Sequence, residues 1–408
     1  MTSAELAERA GVRPGFIDEL IRLGILRHDV HNRLTDNDAK RASILQAMLE
    51  AGLPMDGLGA AFRAGDISLE FIDTAAYGRF STYSSETFAE ASTRTGVGLE
   101  LLLSVRETMG SAPAKATDRL RDDELPIVEW IALQHANGFR SAATASLLRA
   151  MGDSLRRIAE SEAEWWRSEV LASQLQAGGS LKDAGTPAFS DAMAVAGEQA
   201  LLSLYHALQM RTWTANMVAG AEVALQRAGV VEERVRQPAI VFLDITGYTQ
   251  LTEERGDAAA AAVADRLGRL VQRTSIAHGG RPVKFLGDGV MFVFPESAPA
   301  VLAALDMIEG APAAGLPPAH IGIAAGPVIF QEGDYYGQTV NLAARISDYA
   351  RPGEVLVSAA VVDAAGLPME MFSSVGAVAL KGVSAPVRLL AAVRSPGTSY
   401  QSPGTGDA

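Results

Sequence analysis

Short apolar runs that alternate with longer helical segments in the C-terminal half constrain the fold of this chain more than any other feature. Four runs are rich in Val, Ile and Phe and are bounded by Gly, Asp or Pro, which predicts strands at 239–244, 281–286, 290–294 and 319–326. Apolar residues at helical spacing predict helices over 250–278 and 298–308. The order β-α-β-β-α-β is that of the ferredoxin-like split unit.

The N-terminal segment predicts a helix-turn-helix unit. Two short helices end at Gly11 and Gly24, glycines that suit the C-terminal cap of a helix. Thr35 or Asp36 can cap a third helix. Residues 4–58 thus resemble the winged helix-turn-helix unit of the MerR regulators.

The same landmarks recur about 85 residues later, which indicates an internal duplication. The matching positions are Gly11-Val12 with Gly96-Val97, Arg33-Leu34 with Arg119-Leu120, and Gly52 with Gly138. Because short helical patterns are permissive, coincidence is the alternative.

Residues 142–230 are predicted to be helical, with breaks at 178–180 and 185–187. The run 201–213 carries too much apolar surface for an isolated helix, so it must pack against another surface, such as a second subunit. His206 lies in this run. An imidazole, whose pKa is ordinarily about 6.5, would gain charge on acidification and disfavour a packed form, which makes His206 a candidate regulatory residue. A simple role at the edge of a core is the alternative.

Composition excludes several classes of site and partner. The chain has 408 residues, no cysteine and a formal net charge of −13. Any metal must therefore be held by oxygen or imidazole. Residues 1–74 hold eight Lys and Arg against twelve Asp and Glu, so a nucleic-acid partner is unlikely. The sequence shows no transmembrane span and no secretory signal, and we expect a cytoplasmic protein.

Two aspartates are predicted to meet at one end of the sheet. Asp244 closes the first strand, and Asp288 lies in the Gly287-Asp288-Gly289 turn between the next two strands. Two carboxylates with no cysteine and no nearby histidine suit the hard cations Mg²⁺ or Mn²⁺. Either aspartate alone would also fit an exposed turn residue.

Three motifs occur together, namely DITGYT at 244–249, KFLGDG at 284–289 and GDYYGQTVNLAARI at 333–346. Residues 239–393 resemble the class III adenylyl and guanylyl cyclases, because the three motifs occur in the order and with the spacing typical of that family. The whole chain resembles soluble actinobacterial adenylyl cyclases that carry a helical N-terminal regulatory domain.

The resemblance implies a metal site and a phosphate site. Asp244, Ile245 and Asp288 would hold two Mg²⁺ or Mn²⁺ ions. The phosphates would lie in a cradle at a helix N-terminus, formed by Ile245, Thr246, Gly247, Tyr248 and Thr249. An ordinary strand-to-helix turn would have the same sequence.

Two further residues, Asn341 and Arg345, lie four apart and hence on one helix face. The resemblance implies that the asparagine orients the ribose and that the arginine stabilises the developing phosphoryl charge. Lys381 stands where many family members have a triphosphate-binding lysine, and an exposed lysine at a strand end fits equally well.

Lys284 and Asp334 are expected to select the base. The adenine edge offers an acceptor at N1 and a donor at N6, which a lysine and an aspartate complement, whereas guanine reverses that polarity. The substrate is therefore expected to be ATP and the product cyclic AMP. The resemblance also implies that the metal aspartates and the other site residues come from different subunits, so that a homodimer has two complete sites.

We therefore expect an α+β protein in four parts. These are a MerR-like helix-turn-helix unit at 1–80 and a helical regulatory domain with a connector helix at 81–237. A class III cyclase domain follows at 238–394, and a disordered tail at 395–408. The alternative is a DNA-binding or signal-sensing regulator whose cyclase domain is guanylyl-specific or weakly active. A catalytically inactive scaffold would show substitutions at the matched site positions, and this sequence has none.

Overall fold

The computed structural model describes residues 1–29, 33–73, 81–178, 191–230 and 237–394. The chain divides into two compact units, Met1–Val230 and Val231–Ala408, and each unit has its own hydrophobic clusters. Most of the expected helix breaks near 178–187 and the expected tail at 395–408 lie outside the described residues.

The N-terminal unit begins with two helical modules in tandem. The first module consists of helices α1 (Ser3–Ala10), α2 (Pro14–Arg22), α3 (Asp36–Glu50) and α4 (Met55–Ala64), with a 3-10 turn at Glu70–Asp73. The second module consists of strands β1 (Tyr83–Thr87) and β2 (Arg119–Arg121) and helices α5 (Phe88–Thr95), α6 (Leu99–Thr108), α7 (Leu125–Ala136) and α8 (Ser141–Trp166). Helix α8 continues through a π-helical turn (Arg167–Ala172) into α9 (Ser173–Gln176), and helix α10 spans Asp191–Arg227.

The two modules share their local chemistry. Helices α1 and α5 each have a threonine that forms a capping box with a glutamate, and each ends at a glycine in the left-handed conformation. Leu34, two residues before α3, exchanges backbone hydrogen bonds with Met1. In the same way β2, before α7, pairs with β1, before α5. This repeated order agrees with an internal duplication. A relationship to the MerR regulators stays a prediction.

A buried ion pair fastens α6 to the start of α7. Arg106 donates two hydrogen bonds of 2.7 Å to the Glu124 carboxylate, and the Glu124 side chain is only 1% exposed. The same guanidinium donates to the Arg119 carbonyl at 2.7 Å and lies 5.0 Å from the ring centre of Phe88. Both charges are thus fully partnered, which a buried ion pair requires.

Helix α10 exposes apolar side chains along its length. Among its large apolar residues, more than half of the surface is exposed at Leu204, Tyr205, Leu208, Trp213 and Met217. A helix that is apolar on all sides is normally buried by a partner. Across the described ranges, no helix is both long and apolar enough to cross a membrane.

The C-terminal unit is built on a seven-stranded sheet. Its strands are β3 (Ala239–Ile245), β4 (Arg281–Leu286), β5 (Gly289–Phe294), β6 (Ala319–Ala325), β9 (Val355–Ser358), β10 (Phe372–Val378) and β11 (Val387–Ala392), in the order β10-β11-β9-β6-β3-β5-β4. A separate hairpin is formed by β7 (Ile329–Gln331) and β8 (Asp334–Tyr336). The helices are α11 (Tyr248–Arg255), α12 (Asp257–Ala277), α13 (Ser297–Gly310), α14 (Gln338–Tyr349) and α15 (Ala359–Ala365).

Alternation along β3 divides the core into two layers. Val241 and Leu243 join the cluster on the face covered by α12, α13 and α15, whereas Ile240 packs into the cluster beneath α14. The four predicted strands are confirmed. The single predicted helix over 250–278 is wrong, because Gly256 adopts φ 77° and ψ 171° and separates α11 from α12.

Candidate active site

The end of β3 brings the two predicted metal-binding aspartates together. Asp244 lies opposite Gly289 of β5, the residue that follows Asp288. The Ile245 amide donates to the Asp288 carbonyl at 3.3 Å and to Asp244 Oδ1 at 3.1 Å. The strand pairing that the sequence predicted therefore puts both aspartates at one end of the sheet.

The electrostatics of this end favour a bound cation. Burial raises the pKa of Asp244, and the negative charge of Asp288 raises this pKa further. Two carboxylates that repel each other are stabilised by a divalent cation with oxygen ligands. Among the described residues, no three His, Asp or Glu side chains form a metal-binding cluster, so further ligands would have to come from the backbone, the nucleotide or water.

The expectation that no histidine lies near the aspartates is wrong. His320 of β6 is the other cross-strand partner of Asp244, and its Nε2 lies 3.8 Å from Asp244 Oδ2. A positive charge on His320 would lower the pKa of Asp244 and so oppose the effect of burial. The signal for this neighbour is the predicted strand at 319–326, which the split unit pairs with the first strand.

Fewer backbone amides of the predicted phosphate cradle are available to a phosphate than the sequence predicts. The amide of Thr246 donates to the Pro318 carbonyl at 2.9 Å. The amide of Ile245 already donates to the Asp288 carbonyl and to Asp244 Oδ1. Gly247, with φ 77°, is the N-cap of α11, so the amides available to an anion begin there. The Tyr248 hydroxyl donates to the Ala260 carbonyl at 3.1 Å and holds α11 against α12. The side chain of Thr249 lies outside the described part of the chain.

The two predicted base-selecting residues form a direct contact. Lys284 Nζ of β4 donates to Asp334 Oδ2 of β8 at 2.5 Å. Both side chains are partly exposed, Lys284 by 35% and Asp334 by 23%. Asp334 Oδ1 also accepts the Tyr335 amide at 2.8 Å. A donor and an acceptor are thus held side by side at a surface that a base can reach.

Helix α14 presents Asn341 and Arg345 on its exposed face. The helix packs closely on β6, where a Cβ at Gly322 would lie only 2.1 Å from the Ser347 amide nitrogen. Arg345 Nη1 donates to Asp348 Oδ2 at 2.6 Å. A phosphate that binds Arg345 would therefore compete with Asp348 for the guanidinium.

Two other predicted residues belong to other parts of the chain. Lys381 occupies the exposed turn between β10 and β11, at the sheet edge opposite to β4. His206 is exposed on α10, with its ring centre 5.8 Å from that of Tyr205. The roles given to both residues stay predictions.

The segment that contains these residues matches a known protein family. Residues 230–390 match the adenylate and guanylate cyclase catalytic domain. The pH-sensitive adenylate cyclase MT1302 of Mycobacterium tuberculosis is 28% identical over 368 residues, which cover 86% of this chain and 87% of the relative.

Two further relatives match shorter parts of the chain. An adenylate cyclase of Streptomyces coelicolor is 28% identical over 277 residues, 67% of this chain and 70% of the relative. The protein Rv2212 of Mycobacterium tuberculosis is 39% identical over 150 residues, 36% of this chain and 39% of the relative. The four predicted strands and the three motifs all lie within the segment that matches the family model. The chain therefore carries the catalytic domain of a class III nucleotide cyclase.

Proposed function

We propose that this protein is an adenylate cyclase that converts ATP into 3′,5′-cyclic AMP and pyrophosphate. The observation that carries this proposal is the contact between Lys284 and Asp334. Their donor and acceptor complement adenine N1 and N6, and a guanine edge would leave both groups facing like partners. A site with mispaired polar groups rejects the wrong base strongly.

The residues at the end of β3 fit a divalent metal site. Asp244 and Asp288 supply two oxygen ligands, and the Ile245 carbonyl is a third candidate. When bound, two Mg²⁺ or Mn²⁺ ions would activate the ribose 3′-hydroxyl and neutralise charge on the phosphates. The elevated pKa of Asp244 supports this assignment, because a cation would offset the repulsion between the two carboxylates.

The chain's own residues would position the nucleotide and stabilise charge. Asn341 would orient the ribose through its amide group. Arg345, one turn further along α14, would release Asp348 and place its planar guanidinium on the α-phosphate, where negative charge increases during ring closure. The amides from Gly247 onward would bind the terminal phosphates.

We further propose that the enzyme is a homodimer with two shared sites and that the N-terminal unit restrains it in a pH-dependent way. The exposed apolar length of α10 supports packing against a second copy. A relative that matches 86% of this chain is named a pH-sensitive adenylate cyclase, which favours regulation by pH. His206 on α10 is the candidate sensor.

The N-terminal modules are proposed to act on protein partners and not on DNA. Arg9 of α1 donates to the Tyr83 carbonyl at 2.7 Å and pairs with Asp122 at 3.0 Å and Asp36 at 3.3 Å. An arginine engaged by two carboxylates is poorly placed for phosphate contacts.

The test is to incubate the purified full chain with Mn²⁺ and either ATP or GTP across a range of pH and to identify the products by chromatography. We expect cyclic AMP from ATP, with little cyclic GMP from GTP. Cyclic GMP as the main product, or no cyclic product at any pH, would refute the proposal.

A further inference from the structure

Strand β4 contains a bulge that puts two basic residues, three positions apart, on one face. Arg281 pairs with Val293 and Lys284 pairs with Met291, so four residues of β4 stand opposite three of β5. Residues three apart in a regular strand point to opposite faces. The extra residue, Val283, cancels this alternation. Because Val293 and Met291 both join the cluster beneath α14, and cross-strand partners share a face, Arg281 and Lys284 both lie on that face.

The β7–β8 hairpin docks on the same face. Its strands are joined by Glu332 and Gly333, which both have positive φ, the conformation of a tight two-residue turn. Phe330 and Tyr335 lie directly opposite each other in the hairpin, and their ring centres are 5.0 Å apart. A hairpin of three residues per strand is not stable alone, so contacts outside it must fix its position.

Arg281 supplies such a contact. Its guanidinium carbon lies 5.6 Å from the Tyr335 ring centre and 6.0 Å from that of Phe330. Its Nη2 also donates to the Tyr335 hydroxyl at 3.3 Å. One side chain of β4 therefore contacts both strands of the hairpin, and cation–π contacts of this kind are attractive.

The Lys284–Asp334 ion pair cannot by itself fix the position of the hairpin. A partly exposed ion pair contributes little to position, because water screens it and two flexible side chains must be ordered. The aspartate also has to turn from the lysine toward a base when the nucleotide enters. Something other than the ion pair must then keep the Asp334 backbone at the correct distance.

We propose that Arg281 is a positioning residue for base recognition. By stacking on Phe330 and Tyr335, it holds the hairpin against β4 so that Asp334 stays beside Lys284. This inference rests on the proposed adenylate cyclase activity and adds a residue that controls base selection without touching the nucleotide. Loss of Arg281 would weaken binding and selection of the base and leave the metal end of the site unchanged.

The test compares full-length Arg281→Ala, Arg281→Lys and Arg388→Ala with the wild type. KM and kcat are measured for ATP and for GTP at fixed Mn²⁺, and thermal unfolding is recorded for each variant. Arg281→Ala should raise the KM for ATP about tenfold, as expected from the loss of two exposed cation–π contacts, and should lower the ATP:GTP preference with little change in kcat. Arg281→Lys keeps the cation and should therefore restore part of the wild-type KM for ATP and part of the ATP:GTP preference. Arg388 is exposed on β11 of the same sheet, and its loss should change neither quantity.

Phe330→Leu provides a second route if Arg281→Ala impairs folding. It removes one ring and keeps the apolar bulk, so it should change KM and preference in the same direction but less. Wild-type KM and wild-type ATP:GTP preference in a folded Arg281→Ala or Phe330→Leu enzyme would overturn the inference and leave the proposed function intact. A wild-type enzyme without cyclase activity would overturn the proposed function and this inference with it.

Discussion

The Lys284 ammonium lies 2.5 Å from the Asp334 carboxylate, although 50 positions separate the two residues in the chain. The lysine belongs to the edge strand of the large sheet, and the aspartate to the small hairpin. Their contact therefore depends on how the hairpin docks and not on a shared strand ladder. In the proposed site, base selection would therefore depend on the position of the hairpin.

Exchange of this pair should change the preferred nucleotide. We expect Lys284→Glu combined with Asp334→Cys to shift the ATP:GTP preference toward GTP, at a low absolute rate because the surrounding contacts still suit adenine. Product identification with each nucleotide measures the shift. Each single substitution serves as a control and should lose activity with both nucleotides. An unchanged preference in the double variant would remove these residues from base recognition.

The shared site can be tested by complementation. Asp244→Ala and Arg345→Ala chains should each be inactive alone, the first for lack of a metal ligand and the second for lack of the charge-stabilising guanidinium. A mixed dimer would have one doubly defective site and one intact site, so an equal mixture should regain about one quarter of wild-type activity. No regain in a mixture whose mixed dimers are demonstrated by differential tags would mean that both residues act within one subunit.

The raised pKa of Asp244 predicts a pH-dependent effect on stability. A carboxyl group whose pKa is higher in the folded chain than in the unfolded chain binds more protons when folded, so its contribution to stability is present at acidic pH and is lost as the pH rises through the raised pKa. Asp244→Asn should therefore raise the melting temperature of the metal-free protein near neutral pH.

That increase should shrink as the pH falls toward the ordinary carboxyl value of 3.8. The measurement is thermal unfolding in a chelator across pH. Asp265→Asn is a matched control, because Asp265 is 64% exposed on α12 and pairs with Arg269. A lower melting temperature for Asp244→Asn at neutral pH would contradict the prediction.

Restraint by the N-terminal unit predicts a difference in pH profile between the full chain and residues 230–394 alone. Small displacements of the site residues suffice, because a misplacement of about 1 Å can cost about 100-fold in rate. Cyclic AMP formation is measured for both proteins from about pH 5.5 to 8.5, the range in which histidine titrates. Parallel profiles at equal specific activity would exclude restraint. If the profiles differ and full-length His206→Ala keeps that difference, the restraint stands without the histidine.

The buried pair of Arg106 and Glu124 predicts a strong effect on the stability of the N-terminal unit. Glu124→Leu leaves a buried guanidinium without its carboxylate and should lower the free energy of unfolding by about 3 kcal/mol. The double variant Arg106→Met with Glu124→Leu removes both charges and should recover much of this loss. Denaturant unfolding followed by circular dichroism compares the three proteins. A double variant less stable than the single one would contradict the prediction, because it would show that Arg106 stabilises the fold even without Glu124.

The sequence was sufficient for four of the seven strands of the large sheet, because each of these four is a short apolar run bounded by turn residues. It was not sufficient for the hairpin that carries Asp334, since strands of three residues have no periodicity to detect. The division of the helix at Gly256 was also missed, because a glycine within a helical pattern is compatible with a continuous helix as well as with a break.

Contacts across strands were the hardest to predict. His320 lies 76 positions from Asp244 in the sequence, and only the pairing of β3 with β6 makes them neighbours. The bulge at Val283 is invisible in the run RPVKFL, because nothing in it distinguishes a regular strand from one with an extra residue. Motifs predict candidate residues for nucleotide and metal binding, and they do not predict neighbours such as His320 that only the strand pairing brings close.

The bulge in β4 also determines which kinds of mutation this domain tolerates. A substitution at Val283 alters one side chain. Its deletion would place Arg281 and Lys284 two residues apart, so a regular strand would still hold both on one face, whereas loss of the bulge at the present residue count would turn one of them to the opposite face of the sheet. Composition and hydrophobicity would hardly change. The bulge and the residue count between 281 and 284 therefore depend on each other, and libraries that vary this edge should keep the two matched.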